Sequence, residues 1–155
     1  MRDPIEQELD ELYGEVILDH YRNPRNPITV ADAQIKAEGF NPFCGDQVSL
    51  QIKLNGGGTI ESVGLQGKGC SISQASASML TELLKGKSLD EAETASDAFR
   101  RLMHGEPLGK DDLEALDDLK ALEGVRKFPI RIKCALLAWA ALEEGVDEYR
   151  RRQDK

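Results

Sequence analysis

The 155-residue sequence predicts an α+β fold: a three-stranded antiparallel sheet with helices packed on one face and a site at one end. Three observations predict it. Strand-like segments at 33–40, 47–54 and 59–66 follow one another with only turns between them. Asn55-Gly56-Gly57-Gly58, between the last two, is a strong hairpin signal. Segments with helical spacing of apolar residues flank this region on both sides.

The elements follow in order. A first helix is expected over 4–21, where Ile5, Leu9, Leu12, Val16, Ile17 and His20 recur at helical spacing. Pro4 suits a first helical position, and Asn23-Pro24 stops the helix. Residues 25–32 read as an irregular connection. Along 47–54, Val48, Leu50, Ile52 and Leu54 alternate with polar residues, which implies one buried face and an antiparallel sheet. After Cys70 the pattern is helical over 71–85 and ends at Gly86. Ser88-Leu89-Asp90-Glu91 is a capping-box pattern that opens a helix to about Met103. Residues 104–125 read as an insertion with a short acidic helix near 111–122, within a single domain spanning 1–155. A last helical region begins near Ile130, carries Cys134 early and runs through Trp139 to Tyr149, with Gly145 as a candidate break. The polar tail 150–155 is expected to fray.

Composition narrows the function. Charged residues make up 31% and hydrophobic ones 40%, as in ordinary globular domains. No apolar run approaches the roughly eighteen residues that a membrane helix needs. The N-terminus lacks an apolar signal core, so a cytoplasmic location with reduced cysteines is expected, and no membrane partner. Three cysteines cannot pair fully within one chain, which argues against a disulfide framework. The net charge of −8 opposes sequence-independent nucleic-acid binding. No Ser/His/Asp hydrolase arrangement is readable.

The cysteines carry the chemistry. Cys44, Cys70 and Cys134 each sit in or after a glycine- or proline-marked turn, and Asp46 lies two residues beyond Cys44. Together they offer three sulfurs and one oxygen, a full tetrahedral complement for zinc. The glycines before Cys70 permit positive φ, a sharp turn and an exposed thiol, and the helix behind it would lower the thiol pKa. Cys44, followed by Gly45, reads as the accessible sulfur that would leave a metal and accept another atom. Asp46, a hard ligand among soft ones, reads as readily exchangeable. Arg126, Lys127, Arg131 and Lys133 precede Cys134, and Lys68 precedes Cys70; these cations would offset an anionic centre. Other readings stay open here. Each cysteine also reads as a small buried hydrophobe, Cys-Gly-Asp as an Asx turn, and the basic cluster as a solvated face. The wide spacing lacks a paired Cys-x-x-Cys signature, a zinc could be purely structural, and His20 and His104 read as structural or solvated.

Three motifs then add up. Asn-Pro-Phe-Cys-Gly-Asp (41–46), Gly-Lys-Gly-Cys-Ser-Ile-Ser-Gln-Ala (67–75) and Arg-Ile-Lys-Cys-Ala (131–135) resemble the IscU/NifU-N-like family of iron–sulfur cluster assembly proteins. Leu12-Tyr13 and Ile-Leu-Asp-His-Tyr-Arg-Asn-Pro (17–24) are similar to that family's first helix. The likeness extends from about Leu9 to Tyr149 and fits best the SufU branch, which carries an insertion like 104–125. The resemblance implies a zinc site made by Cys44, Asp46, Cys70 and Cys134, with an iron–sulfur cluster as the alternative occupant. It implies sulfur transfer from a pyridoxal-phosphate-dependent cysteine desulfurase of the SufS type, with downstream iron–sulfur assembly proteins as further partners. On this reading Cys44 accepts the persulfide, Arg131 matches a family arginine beside the site, and the protein partners an enzyme rather than acting alone. IscU-type scaffolds carry a histidine immediately before the last cysteine; here that position is Lys133, so a cluster scaffold would lack its usual fourth ligand.

Overall fold

Residues 14–42 and 45–153 are described by the computed structural model. Three strands, β1 (Ile35–Asn41), β2 (Asp46–Leu54) and β3 (Ile60–Lys68), form one antiparallel sheet in the order β1-β2-β3. The register pairs Asn41 with Asp46 at one end of β1–β2 and Gln47 with Lys68 at the same end of β2–β3. Burial alternates along β2: Asp46, Val48, Leu50, Ile52 and Leu54 are buried and the residues between them are not. Side chains two apart share a face, so Asp46 falls on the same face as the apolar row that faces the helices. At the hairpin, the Asn55 side-chain oxygen accepts from the Gly57 and Thr59 amides at 2.9 and 3.1 Å, and Gly58 supplies a φ of 81°.

Helices cover that face. Helix α1 (Glu15–Arg22) precedes the sheet; the part of the expected first helix over 4–13 lies outside the described residues. Helix α2 (Ser71–Leu84) leaves β3 directly, and α3 (Leu89–Met103) follows. The capping box that opens α3 is present in full: Glu91 N–H donates to Ser88 Oγ at 3.1 Å, and Ser88 N–H donates to Glu91 Oε1 at 3.0 Å. The long α5 (Pro129–Gln153) packs against α2 and β1. Leu50, Ile52, Leu80, Phe99, Ala135 and Trp139 belong to one continuous buried cluster between these layers. Among the described residues, no helix is long and apolar enough to cross a membrane.

Two expectations are corrected. Gly145 does not break α5: a Cβ there would lie 2.9 Å from Ile35 Cγ2 and 3.1 Å from Ala37 Cβ, so this glycine lets the helix approach β1. Over 150–153 the chain is helical. Arg150 pairs with Asp90 and Glu93 at 2.6 and 2.9 Å, and Arg152 donates to the Gln34 carbonyl at 2.8 Å; residues 154–155 lie outside the described ones. In place of one acidic helix, the insertion forms a short α4 (Lys110–Ala115) and a 3₁₀ segment (Asp117–Lys127), separated where Asp117 takes a φ of 51°. Leu116, Leu119, Leu122 and Val125 sink from this region into the main core. It is further clasped by His20, which is buried with Nδ1 2.8 Å from Ser78 Oγ and Nε2 3.3 Å from Asp118.

Candidate metal centre

Asp46 opens β2 with its carboxylate fully buried, at 0% exposure. The turn that delivers it is closed by Gly45 N–H donating to the Asn41 carbonyl at 2.8 Å, with Gly45 at a φ of 72°. Cys44 lies outside the described residues. Cys70 is the N-cap of α2; its backbone is extended there, and its sulfur accepts from the Ser73 amide at 3.4 Å. The Cys70 amide in turn donates to Asp46 Oδ1 at 2.8 Å, which leaves the other oxygen, Oδ2, 3.5 Å from Cys70 Sγ. Cys134, in the second turn of α5, is 3% exposed, with the Asn41 side-chain nitrogen 4.0 Å from its sulfur.

The ligand atoms of Asp46, Cys70 and Cys134 all lie within 4.8 Å of one another. Zinc bonds of about 2.3 Å to sulfur and about 2.0 Å to oxygen, at tetrahedral angles, put S and O about 3.5 Å apart. The Asp46–Cys70 separation meets that requirement, so the donor set fits a zinc-sized soft-ligand site. A buried carboxylate beside two sulfurs is also a donor set that a divalent cation would stabilise.

Electrostatics corrects one expectation. The Cys70 thiol is pushed up, not down: burial dominates, the Ser73 amide and Cys134 pull the other way, and the Asp46 charge adds to the rise. The helix end helps the thiolate, but desolvation outweighs it. A second expectation also changes. The described glycines with positive φ are Gly14, Gly45, Gly58, Gly86 and Gly105, so Gly67 and Gly69 are not there to turn the chain. On Gly67 a Cβ would lie 2.2 Å from the Gln47 carbonyl oxygen, so close approach of β2 and β3 demands glycine.

Arg131 stands one turn before Cys134, half-buried, with its guanidinium 4.9 Å from the Phe128 ring centre. Lys68 and Lys133 are exposed, and Arg126 pairs with Glu123 at 3.3 Å. Neither histidine joins the cluster: His20 is the clasp described above, and His104 caps the end of α3. Sequence reasoning missed Asn41, which is buried with its amide turned toward Cys134. Its place at the head of the Asn-Pro-Phe-Cys-Gly-Asp motif was the available signal.

Fold and site together define a small α+β protein with a cluster of two thiols and one carboxylate at the sheet's end. The chain belongs to the family of NifU-like N-terminal domains, whose family model matches residues 12–135. It is 49% identical over 138 residues to the zinc-dependent sulfurtransferase SufU of Bacillus subtilis, covering 89% of this chain and 91% of that protein. It is 39% identical over 140 residues to the iron–sulfur cluster assembly scaffold protein IscU of Streptococcus pyogenes, covering 89% of this chain and 84% of that one. Among solved structures, a candidate iron–sulfur cluster assembly scaffold protein for the SUF system from Fervidobacterium islandicum superposes with a TM-score of 0.78 at 31% identity, covering 88% of this chain and 97% of that one.

Proposed function

We propose that this chain is a zinc-dependent sulfur acceptor that takes persulfide sulfur from a cysteine desulfurase for iron–sulfur cluster assembly. The observation that carries this reading is the meeting of Asp46, Cys70 and Cys134 ligand atoms within 4.8 Å, from three separate elements. Cys44, two residues before Asp46 in the sequence, would raise the set to three sulfurs and one oxygen. Identity of 49% to a relative named as a zinc-dependent sulfurtransferase supports the same conclusion. Bound zinc would hold the cysteines as thiolates and shield them from oxidation.

The residues divide the work. Cys134 is buried in α5, and Cys70 is fixed by Asp46 and Ser73, which supports Cys44 as the acceptor. Its thiolate attacks the outer sulfur of the desulfurase Cys–S–SH group. The partner's S–S bond breaks, the partner cysteine leaves as a thiolate, and Cys44 carries the new persulfide. Sulfur moves without net oxidation, so no further oxidant is needed. Arg131, one turn ahead of Cys134, would offset the negative charge of the centre. The expected partners are a SufS-type desulfurase and downstream assembly proteins in the cytoplasm, with the whole chain acting as one domain.

The test pairs zinc content with desulfurase stimulation for the parent and Cys44→Ala. The parent should carry about one zinc per chain, as a four-ligand site requires, and Cys44→Ala should lose the stimulation. A zinc-free parent that stimulates fully contradicts the proposal. A second reading, an iron–sulfur scaffold, is favoured by the 39% identity to an IscU protein. Anaerobic reconstitution separates the two: a coloured species that passes intact to an apo-protein supports the scaffold.

A further inference from the structure

We propose that Gly69 is a positioning residue for this centre: the space left by its missing side chain is the slot in which the Asp46 carboxylate lies. The inference rests on the metal-binding reading above. Gly69 has no positive φ, so backbone freedom does not explain it. Space does. A Cβ on Gly69 would lie 2.4 Å from Asp46 Oδ1, 2.6 Å from its Cγ and 2.9 Å from its Cβ. All three nearest atoms belong to the same side chain, whereas Gly67 is confined by strand backbone.

Neither partner has an easy way out. Asp46 is fully buried, so its carboxylate cannot swing into solvent. The Gly69 peptide is held by the Gln74 side-chain amide, which donates to the Gly69 carbonyl at 2.6 Å. With the slot open, Oδ1 docks on the Cys70 amide at 2.8 Å and only Oδ2 is left beside the Cys70 sulfur, at 3.5 Å. Gly69 therefore admits the pose in which the Cys70 amide takes Oδ1 and Oδ2 faces the Cys70 sulfur. A carboxylate held in this way is a persistent ligand, contrary to the exchangeable role that its hardness alone suggests.

The experiment compares four full-length proteins: the parent, Gly69→Ala, Asp46→Ala and the double variant. In metal-free protein, the Cys70 amide proton reports the carboxylate bond by NMR. It should lie downfield in the parent and move upfield in Gly69→Ala, in the direction Asp46→Ala moves it. Zinc affinity, read by competition against cobalt(II) and its visible bands, should fall about 10–100-fold in Gly69→Ala, as for loss of a ligand's support. In the Asp46→Ala background, where two of the three conflicting atoms are gone, the glycine substitution should cost no further affinity. Folding of the double variant where Gly69→Ala alone fails to fold also supports the inference. An unmoved Cys70 amide with parental affinity overturns it, as do equal losses in both backgrounds or a double variant that does not fold. Should the parent take up neither zinc nor cobalt, the metal reading falls, and the amide shift alone decides the role of Gly69.

Discussion

Asp46 Oδ2 lies 3.5 Å from Cys70 Sγ, although one residue begins a strand and the other caps a helix 24 positions later. A direct bond from the Cys70 amide to Oδ1 holds the pair together. The site is therefore partly preorganised by the fold, before Cys134 adds its sulfur from the far end of the chain.

Removing the carboxylate should shrink the stabilisation that zinc confers. If Asp46→Ala weakens zinc about 10–100-fold, the gain in unfolding free energy at a fixed free-zinc level falls by about 1.4–2.7 kcal/mol. Urea titrations with buffered zinc and with a chelator, for parent and variant, measure the difference. An equal zinc-dependent gain in both would remove Asp46 from the ligand set.

Zinc uptake should release protons and strengthen as pH rises. Burial holds the Cys70 thiol above its ordinary value, so at neutral pH the metal-free fold carries it protonated. Because the folded value is raised, the metal-free protein is most stable below the unfolded thiol pKa and loses that contribution as pH climbs through the folded one. Zinc takes the thiolate, so each proton displaced makes apparent affinity rise about tenfold per pH unit until the raised pKa is passed. Calorimetry near neutrality, in buffers of different ionisation enthalpy, counts the protons. Uptake without proton release contradicts this.

The His20 clasp should matter more through Ser78 than through Asp118. The histidine and Ser78 are buried, whereas the Asp118 side chain is 54% exposed. His20→Ala removes a buried hydrogen bond, although Ser78 Oγ keeps the Arg25 amide at 2.9 Å, and leaves a cavity; together these should cost about 1–3 kcal/mol. Asp118→Ala loses only a water-screened contact, worth about 0–1 kcal/mol. Denaturation midpoints compare them, and equal losses would mean that residues 104–125 are held mainly by the His20–Asp118 contact.

At Gly145, two effects of similar size oppose each other. Alanine gains about 1 kcal/mol of helix propensity but must press on Ile35 Cγ2 at 2.9 Å and Ala37 Cβ at 3.1 Å, and the first is a buried, β-branched side chain and the second is fixed to the strand. Gly145→Ala should therefore be between neutral and about 2 kcal/mol destabilising. Gly145→Val adds bulk with a smaller propensity gain and should lose about 1–3 kcal/mol to overpacking. Thermal unfolding of both variants decides it; a tolerated valine would show that α5 can lift from β1.

What the sequence revealed was mostly local. The alternation of Val48, Leu50, Ile52 and Leu54, the Ser88–Glu91 capping box and the Asn55 hairpin each depend on neighbours a few residues away, and all appear as expected. What it concealed depends on distant partners. Gly145 is explained by Ile35 and Ala37, Gly69 by Asp46, and the raised Cys70 thiol by burial that no local pattern encodes. The insertion was read as acidic because Asp111, Asp112, Asp117 and Asp118 dominate it. Its buried leucines were visible in the sequence, but not the core they enter. The meeting of Asp46, Cys70 and Cys134 was legible through the family resemblance of the three cysteine motifs, since ligand chemistry alone left other readings open and the spacing carried no signal.

The central claim is that Cys44, Asp46, Cys70 and Cys134 hold a single zinc ion, and X-ray absorption at the zinc edge of the purified full-length protein tests it most directly. The account predicts a first shell of three sulfurs at about 2.3 Å and one oxygen at about 2.0 Å, with one sulfur lost in Cys44→Ala. A shell of nitrogen and oxygen alone, or a sulfur count unchanged in Cys44→Ala, would contradict it.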